Sequence, residues 1–474
     1  MKYNLINLAV VVLIIVSAVG CSALRLIEAA VRVSGSLIDA ETKKNYVQMR
    51  FSANGKELSR PTDMLYSSTT PRLMNLTQQF KRKSGHSFFK EAMMPKDFAF
   101  TGGRPDPHTF PTEGLIEASA KALRKLGGDL VNYPGEKGYE GLRELASMRF
   151  ERREGVPLNI DDISITSGSM QALELVLGTF INPGDTVITE EFTYSGTLGI
   201  MRHLKANIVG VSMDYIDGMN MDALEETLSE LKAKNIRPKL IYTTSNHQNP
   251  TAAILSLERR KRMLELADEY DTLIVEDDCY GDIDFVPNPT PDAIFKLDAS
   301  NRVIFITTFS KILGCGLRQG YFVARPPYNG MIHGNRWDGG TSALASAIVA
   351  EYFKAHLDEH LAATNIAVGA KCRAVVDTLR KNVSDICTWT EPRGGLFLWI
   401  HLPETTDMAK LGELASQHNV GFSNGSGFHY RSDPIKCIRL AYAYTHIDDV
   451  AEGITYLCEA IRGAQGETVD IAAD

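Results

Sequence analysis

The stretch "RVIFITTFSKILGCGLRQGY", residues 302–321, places a lysine directly after an apolar run and an arginine seven residues later. The run "RVIFITTF" has the composition of a buried strand, and the glycines after Lys311 allow the backbone to approach a ligand closely. A lysine in a desolvated pocket becomes a better nucleophile because burial lowers its pKa. The stretch therefore predicts a buried strand that ends at a reactive lysine.

Length and composition limit the classes of protein that need to be considered. The chain has 474 residues, 44% of them hydrophobic, which is enough for a large core and for more than one globular part. The net charge of -8 and the mixing of acidic with basic residues argue against a nucleic-acid surface. The seven cysteines form no C-x-x-C pair, so we predict no metal site and favour a reducing compartment.

Residues 1–45 form an apolar N-terminal segment, with no charged residue from Tyr3 to Leu24. An uncharged run of roughly 20 residues can cross a bilayer once, as a membrane anchor. Two other interpretations stay open. "AVGC" is a weak match to a lipoprotein cleavage site, which would make the segment a cleaved signal, and a wrongly assigned start codon would make it an extension.

From residue 111 to 345 the sequence predicts alternating strands and helices. "DISIT", "DTVITEE", "PKLIYTTS" and "TLIVEDD" have strand composition, and segments with helical periodicity such as "SMQALELVLGTFI" lie between them. This alternation predicts a mainly parallel sheet covered by helices on both faces, forming a large domain. Ligands bind to such sheets at the carboxyl ends of the strands.

The remaining segments predict a second, smaller domain. Residues 346–465 begin with a long helix that links the domains and continue with short strands such as "GGLFLWIHL" and "CIRLAYAY". Residues 46–110 are rich in loops, and we expect them to form an N-terminal arm that packs on the small domain. Residues 466–474 are predicted to be a frayed tail.

Polar residues follow several of the predicted strands. "TSGSMQALE" places Ser169 and Gln171 at the start of a helix, where free N–H groups and the helix dipole favour a phosphate, although a plain serine N-cap has the same pattern. Asn249 in "QNPT" ends another strand, where an ordinary Asn-Pro turn is the alternative.

The stretch "LIVEDDCYGDIDF" ends an apolar strand with three acids, residues 276–278. At least one of these carboxylates should face the ligand edge, where it needs a cationic partner, although a surface salt-bridge or metal cluster is the alternative. Tyr280 adds a hydrogen-bond donor. A reactive lysine, a phosphate cradle, a carboxylate and a phenol are together the groups that pyridoxal 5'-phosphate (PLP) requires.

The order of eight motifs resembles the class I/II aminotransferases of PLP fold type I, and within them the kynurenine/α-aminoadipate aminotransferase branch. The motifs are "FTGGRPDPHTFP", "YPGEKGYEGLRELA", "SGSMQALE", "EEFTYSGTL", "QNPT", "EDDCY", "TFSKILGCGLRQGY" and "CIRLAY", and the resemblance covers residues 60–465. It implies an α/β fold with a mainly parallel seven-stranded-type sheet in a large domain, plus a smaller α/β domain.

The resemblance implies a PLP-dependent aminotransferase that works as a homodimer, with active sites at the interface. It would move an amino group from an L-amino acid, such as 2-aminoadipate, kynurenine or an aromatic amino acid, to a 2-oxo acid such as 2-oxoglutarate by a ping-pong mechanism. A PLP-dependent lyase or decarboxylase is the alternative. A non-catalytic sensor on the same fold is disfavoured, because the region before residue 60 has no helix-turn-helix pattern and no basic face.

The resemblance also implies roles for individual residues. Lys311 would bind the cofactor covalently and carry protons, Asp277 would pair with the pyridine nitrogen, and Tyr194 would stack on the ring. The other predicted cofactor-binding residues are Ser169, Met170, Gln171, Asn249, Tyr280, Thr308, Ser310, Arg318 and, from the neighbouring subunit, Tyr133. Substrate contacts are predicted from Gly103, Asn249 and Arg439, the last as a planar fork for the α-carboxylate.

Three residues depart from the usual pattern of the family. Ala252 stands in place of a glycine and lacks its freedom at positive φ, Thr308 stands where serine is commoner, and Cys279 replaces a frequent proline. None of them removes a catalytic group. Because the cofactor is made inside cells, we expect the catalytic domain in the cytoplasm or an organelle interior, with residues 3–24 as a membrane contact if they form an anchor.

Overall fold

A computed structural model describes residues 51–53, 56–58, 96–287 and 290–465. The chain divides into two units, Met1–Pro95 and Lys96–Asp474. In the first unit, β1 (Phe51–Ala53) and β2 (Lys56–Leu58) form an antiparallel pair. The predicted apolar segment 1–45 and the tail 466–474 lie outside the described residues. Within the described ranges, no helix is long and apolar enough to span a membrane.

The second unit contains the other strands and all the helices described below. The strands are β3 (Phe98–Ala99), β4 (Ile163–Thr166), β5 (Thr186–Glu190), β6 (Asn207–Val211), β7 (Met213–Asp214), β8 (Gly218–Met219), β9 (Leu240–Thr244), β10 (Leu273–Asp277), β11 (Val303–Thr308), β12 (Gly320–Val323), β13 (Thr388–Trp389), β14 (Phe397–His401), β15 (Val420–Gly421), β16 (Ser423–Asn424) and β17 (Cys437–Ala441). The helices are α1 (Thr112–Leu126), α2 (Glu140–Glu154), α3 (Ser169–Phe180), α4 (Ser195–His203), α5 (Met221–Ala233), α6 (Leu257–Glu269), α7 (Ile294–Leu297), α8 (Tyr328–Gly334), α9 (Ala343–Val383), α10 (Met408–Gln417) and α11 (Ile447–Gly463).

The central sheet has seven strands in the order β4-β12-β11-β10-β9-β5-β6. The pairs from β11 to β6 are parallel, whereas β12 is antiparallel to both of its neighbours. The predicted mainly parallel seven-stranded sheet is therefore confirmed. Its parallel arrangement brings the carboxyl ends of β9, β10 and β11 to one edge.

Successive side chains of a strand point to opposite faces, and both faces of this sheet are covered. Ile304 and Ile306 of β11 pack in a cluster with the apolar side of α3, whereas Phe305 packs in a second cluster with Phe150 of α2. Every residue of β11 is buried. This two-sided burial explains why the strand is a continuous apolar run rather than an alternating pattern.

A second sheet of four antiparallel strands, β13-β14-β17-β16, carries the C-terminal motifs. The predicted long helix is present as α9, whose first turn is capped by the Ser342 hydroxyl. β3 pairs with β15, so residues 98–99 join the C-terminal part of the chain. Residues 96–474 form one unit, and the division into a large and a small domain near residue 345 stays a prediction.

The three acids at the end of β10 separate between the two faces of the sheet. Glu276 lies 3.7 Å from the Arg260 guanidinium, and Asp278 lies 2.5 Å from that of Arg153. Asp277 between them contacts neither arginine. Strand alternation thus sends two acids into a buried ionic network and leaves the third on the opposite face.

Arg260→Met should lower the free energy of unfolding by about 3–5 kcal/mol, because it leaves the buried Glu276 without its cation. The buried Arg260 guanidinium also donates to the Leu255 and Ser245 carbonyls, and the variant removes both of these hydrogen bonds. Equilibrium unfolding in denaturant measures the change. The matched control is Arg262→Met on the same helix, whose ion pairs with Glu225 and Glu265 lie at the surface, so its loss of stability should be much smaller. Equal losses would contradict the burial argument.

Candidate active site

A pocket opens at the carboxyl edge of the central sheet, where β9, β10 and β11 end. Its lining residues are Ser169, Met170, Tyr194, Thr244, Asn249, Asp277, Cys279, Tyr280, Ser310, Lys311, Cys315 and Arg318. Nine of these twelve are residues that the sequence singles out as cofactor contacts. Parallel pairing brings them together from segments distant in the chain.

Lys311 follows β11 and enters the pocket from the edge of the sheet. Its Nζ donates a hydrogen bond to the Gly103 carbonyl at 3.0 Å and lies 6.0 Å from the centroid of the Tyr280 ring. Gly103 has no room for a side chain, since a Cβ there would lie 2.6 Å from the Phe397 ring. The absence of a side chain lets the backbone of the N-terminal loop reach the lysine.

Asp277 is the buried carboxylate of the pocket. Its Oδ2 accepts a hydrogen bond from the Tyr242 hydroxyl at 2.7 Å, and its Oδ1 is buried without a hydrogen-bond partner among the described residues. Burial raises the pKa of Asp277, and the neighbouring Cys279 and Tyr242 side chains oppose that shift. The free oxygen is suited to a ligand that carries a proton or a positive charge.

The start of α3 forms an anion cradle with Arg318. Gly168 precedes the helix at φ 77°, and the first N–H groups of α3 have no helical partner. Arg318 donates to the Ser167 carbonyl at 2.7 Å. Gly320 of β12 lies directly behind, because a Cβ there would lie 2.7 Å from the Gly168 carbonyl carbon and 2.8 Å from the Ser169 nitrogen.

Asn249 connects the pocket to the four-stranded sheet. Its Nδ2 donates to the Tyr280 hydroxyl at 3.4 Å, and its Oδ1 accepts from the Arg439 guanidinium at 2.7 Å. Tyr194 precedes α4 and also lines the pocket. Burial raises the pKa of the Tyr194 phenol, which therefore stays protonated.

Arg439 in β17 is a buried guanidinium whose contacts within the described ranges include no acid. Its contacts are Asn249, the Ser423 hydroxyl at 3.2 Å, the Thr101 carbonyl and the rings of Phe397 and Phe428 at 4.4 and 4.6 Å. No carboxylate among the described residues forms a salt bridge with it, and burial lowers its pKa to about 10. A buried cation of this kind is stabilised by an incoming anion.

Three predicted cofactor contacts lie elsewhere. Thr308 is buried behind Ser310; its hydroxyl donates to the Gln319 carbonyl at 2.9 Å and lies 2.9 Å from the Ser310 hydroxyl, which can donate to it. The Gln171 amide is engaged by the Ser167 N–H and by Asp338. Tyr133 is 88% exposed and does not line this pocket. Their contacts with the cofactor stay predictions.

The pocket also contains residues that sequence reasoning did not assign. Thr244 ends β9, and Cys279 and Cys315 lie inside motifs chosen for other residues. A position directly after a strand was the available signal for Thr244. Ala252, which stands where the family usually has glycine, adopts a φ of 63°. The turn therefore has a residue in the left-handed conformation even though that residue is alanine.

The pocket fits PLP group by group. The α3 cradle with Arg318 suits the phosphate, the unpartnered Asp277 Oδ1 suits a protonated pyridine nitrogen, and Tyr280 suits the ring oxygen. Among the described residues, Lys311 is the only lysine that lines this pocket. The close approach of Gly320 to the cradle leaves no protein side chain in the place of the phosphate.

Comparisons with known proteins agree with this geometry. The family model of aminotransferase class I and II matches residues 105–461. The aromatic-amino-acid aminotransferase 1 of Thermococcus litoralis is 34% identical, over 77% of this chain and 88% of that protein. The 2-aminoadipate transaminase of Thermus thermophilus is 30% identical, over 84% and 95%. The crystal structure of the kynurenine aminotransferase of Pyrococcus horikoshii matches with a TM-score of 0.73 and 31% identity, over 85% and 98%.

The chain therefore belongs to the class I and II aminotransferases, in the branch that contains the kynurenine/α-aminoadipate enzymes. It is a transaminase, and its cofactor is pyridoxal 5'-phosphate. The family, the fold class and the cofactor predicted from the sequence are confirmed.

Gly320→Ala should weaken cofactor binding about 10-fold, a loss of about 1.4 kcal/mol, because the added methyl group displaces the backbone at the start of α3. Titration of the cofactor-free protein with PLP measures the dissociation constant. Gly330→Ala in α8 is the control, since a Cβ there meets no atom within 4 Å. Unchanged affinity in the Gly320 variant would show that the cradle does not depend on this close approach.

Proposed function

We propose that the enzyme transfers the amino group of an L-amino acid to a 2-oxo acid such as 2-oxoglutarate by a ping-pong mechanism. The observation that carries this proposal is the buried Arg439, which contacts the pocket residue Asn249 and has no acidic partner in the part of the chain that the structure describes. Amino acids and 2-oxo acids share an α-carboxylate, and a planar guanidinium binds it through two parallel hydrogen bonds. One such site serves both half-reactions.

The pocket residues predicted from the sequence have complementary tasks in the proposed reaction. When bound, the cofactor supplies an electron sink for the negative charge that develops at the substrate α-carbon. Lys311 Nζ would take the proton from that carbon and deliver it to the cofactor atom C4', and would carry a proton in the opposite direction in the half-reaction with the 2-oxo acid. Asp277 keeps the pyridine nitrogen protonated, and Tyr280 with Asn249 hydrogen-bonds the ring oxygen.

The other residues hold and shield the ring. Ser169, the Met170 backbone, Ser310 and Arg318 bind the phosphate through charge-assisted hydrogen bonds. Tyr194 covers the ring face and excludes water. These roles rest on the position of the side chains around one pocket and on the motifs in which they occur.

The loop of residues 101–104 is the part of the site that we expect to meet the substrate side chain. The Thr101 carbonyl contacts Arg439, and the Gly103 carbonyl contacts Lys311. The next residue, Arg104, lies 3.5 Å above the Tyr444 ring. A cation stacked on an aromatic ring suits a side chain that ends in a carboxylate or in an aromatic group, so we propose 2-aminoadipate, kynurenine and aromatic amino acids as donors.

A panel of amino acids with 2-oxoglutarate tests the proposed reaction. It should contain 2-aminoadipate, kynurenine, aromatic, branched-chain and methionine substrates. Formation of glutamate together with the matching oxo acid supports transamination. Release of carbon dioxide or ammonia without an oxo-acid requirement would instead indicate the decarboxylase or lyase alternative.

We propose a homodimer with active sites at the interface. Tyr133, Val131 and Trp337 are each at least 87% exposed, and a Cβ on Gly339, two residues after Trp337, would lie 3.0 Å from the Tyr133 ring. Exposed large hydrophobic side chains that lie close together are typical of an interaction surface. A second copy that covers them would allow its Tyr133 to reach the phosphate.

We also propose that the catalytic part works in the cytoplasm or an organelle interior. The six cysteines in the described ranges are free thiols, which supports a reducing compartment. Membrane contact through residues 3–24 stays a prediction, since that segment lies outside the described residues.

Lys311 is expected to carry the cofactor. Reduction with borohydride followed by peptide mass spectrometry should place the adduct on Lys311, and Lys311→Ala should lose both the adduct and the activity. Lys371 is the internal control, because it is buried and paired with Asp106 at 2.7 Å and should carry no adduct. An adduct on a different lysine would overturn the assignment.

Arg439→Lys should keep the fold and the cofactor but lower kcat/KM for every α-amino acid about 100-fold, because lysine cannot make the parallel two-bond contact. Simple amines, which lack a carboxylate, should be affected little. Arg202→Lys is the control, since Arg202 lies on α4 and contacts Tyr430 and Ser432 outside the pocket lining. A variant that loses cofactor or thermal stability but keeps its affinity for amino acids would make Arg439 structural.

A further inference from the structure

Behind the pocket lies a buried tyrosine that is not among its lining residues. Tyr242 in β9 is fully buried, and its hydroxyl donates to Asp277 Oδ2 at 2.7 Å. The same hydroxyl accepts a hydrogen bond from the Thr197 hydroxyl at 3.1 Å. Since a phenol has one proton, the relay runs from Thr197 through Tyr242 to Asp277.

The two oxygens of Asp277 are therefore not equivalent. Oδ2 is satisfied by Tyr242, and Oδ1 is buried without a partner among the described residues. Rotation of the carboxylate would exchange the two oxygens only by breaking the bond to Tyr242. The hydrogen bond to Oδ2 thus leaves Oδ1 as the oxygen that is available to a ligand. In the same way, hydrogen bonds from neighbouring groups orient the side chains that bind a metal ion.

The relay is tied to the element that carries Tyr194. Thr197 belongs to α4, which Tyr194 immediately precedes, so one short helix positions the predicted stacking ring and the first hydroxyl of the relay. Parallel pairing sets Tyr242 opposite Val275 and Thr244 opposite Asp277, so Tyr242 lies one pleat deeper than the carboxylate. The relay is covered by the cluster of apolar side chains on the α3 face of the sheet.

The groups that act on Asp277 come from several elements. Cys279 and Asp278 follow it along the chain, Lys311 comes from the end of β11, Tyr194 from the start of α4, and Tyr242 from β9. Burial raises the pKa of Tyr242 well above its usual range, so the hydroxyl remains a donor. A donor to Oδ2 favours the ionised form of Asp277.

We propose that Tyr242 is a positioning residue of the transamination site, which holds the Asp277 carboxylate in the orientation that presents Oδ1 to the pyridine nitrogen of the cofactor. The proposal rests on the role given above to Asp277 in the proposed function. Tyr242 acts on the cofactor only through Asp277 and does not contact the substrate. Through this hydrogen bond, strand β9 contributes to cofactor binding.

Tyr242→Phe tests this role in the full-length protein. PLP should bind the cofactor-free variant about 10-fold more weakly, because the carboxylate is no longer held in one orientation. The acid limb of kcat/KM and the acid transition of the bound cofactor's absorbance should move to higher pH by about one unit, because loss of the donor raises the Asp277 pKa. KM should change little, since Arg439 is untouched.

Tyr442→Phe is the matched control. Tyr442 is equally buried, and its hydroxyl donates to the Gly395 carbonyl at 3.1 Å, away from the residues that line the pocket. It should lose stability to a similar degree without a change in PLP affinity or in either pH transition. If Tyr242→Phe behaves like Tyr442→Phe, the positioning role is overturned.

Two further variants separate the outcomes. Asp277→Asn should abolish turnover, and near-normal turnover in that variant would overturn the proposed role of Asp277. If Asp277→Asn is inactive but Tyr242→Phe keeps the PLP affinity and pH transitions of the wild type, only the role of Tyr242 is overturned. Thr197→Val removes the first bond of the relay and keeps Tyr242, so it should move the same pH transitions upward by a smaller amount. If Tyr242→Phe does not fold, Thr197→Val alone tests the relay, and pH transitions at the wild-type values in that variant would overturn it.

Discussion

A buried carboxylate needs a cationic or hydrogen-bonding partner, and this constraint organises the carboxyl edge of the central sheet. Three consecutive acids end β10, and strand alternation sends them to different surroundings. Glu276 and Asp278 are neutralised by Arg260 and Arg153 on one face of the sheet. Asp277 on the other face accepts from a neutral tyrosine at one oxygen and has no hydrogen-bond partner among the described residues at the other. That uncompensated acid is the group for which a cationic ring nitrogen is the natural partner.

The opposite imbalance occurs a short distance away. Among the described residues, Arg439 is a buried cation with no acidic partner, and the exposed Arg318 donates only to backbone carbonyls. Leaving the buried Arg439 unpaired costs stability, which the surrounding core has to supply. The site is therefore complementary to a ligand pair with a protonated ring, a phosphate and a carboxylate, the charge pattern of PLP with an amino acid.

Backbone proximity is the second constraint on the site. Gly320 allows β12 to lie against the first residues of α3, and Gly103 allows the N-terminal loop to pass the Phe397 ring and reach Lys311. Arg439 donates a hydrogen bond to the Thr101 carbonyl of the same loop. The loop thus connects the reactive lysine with the carboxylate-binding arginine, so a shift of this loop affects both.

The sequence by itself determined the alternating elements of the large sheet and the long helix α9, because these depend on local periodicity. It also indicated nine residues of the pocket, some because they follow strands directly and the others through the resemblance of their motifs to the family. Apart from the resemblance, which singled out Asp277, the sequence could not tell which of the acids 276–278 faces the ligand, since that depends on which face of β10 meets Arg153 and Arg260. Nor could it show that Gln171 and Thr308 are engaged elsewhere, or that Tyr242 lies behind Asp277. Those outcomes were decided by the tertiary structure, because strand register and side-chain contacts join residues that are far apart in the chain.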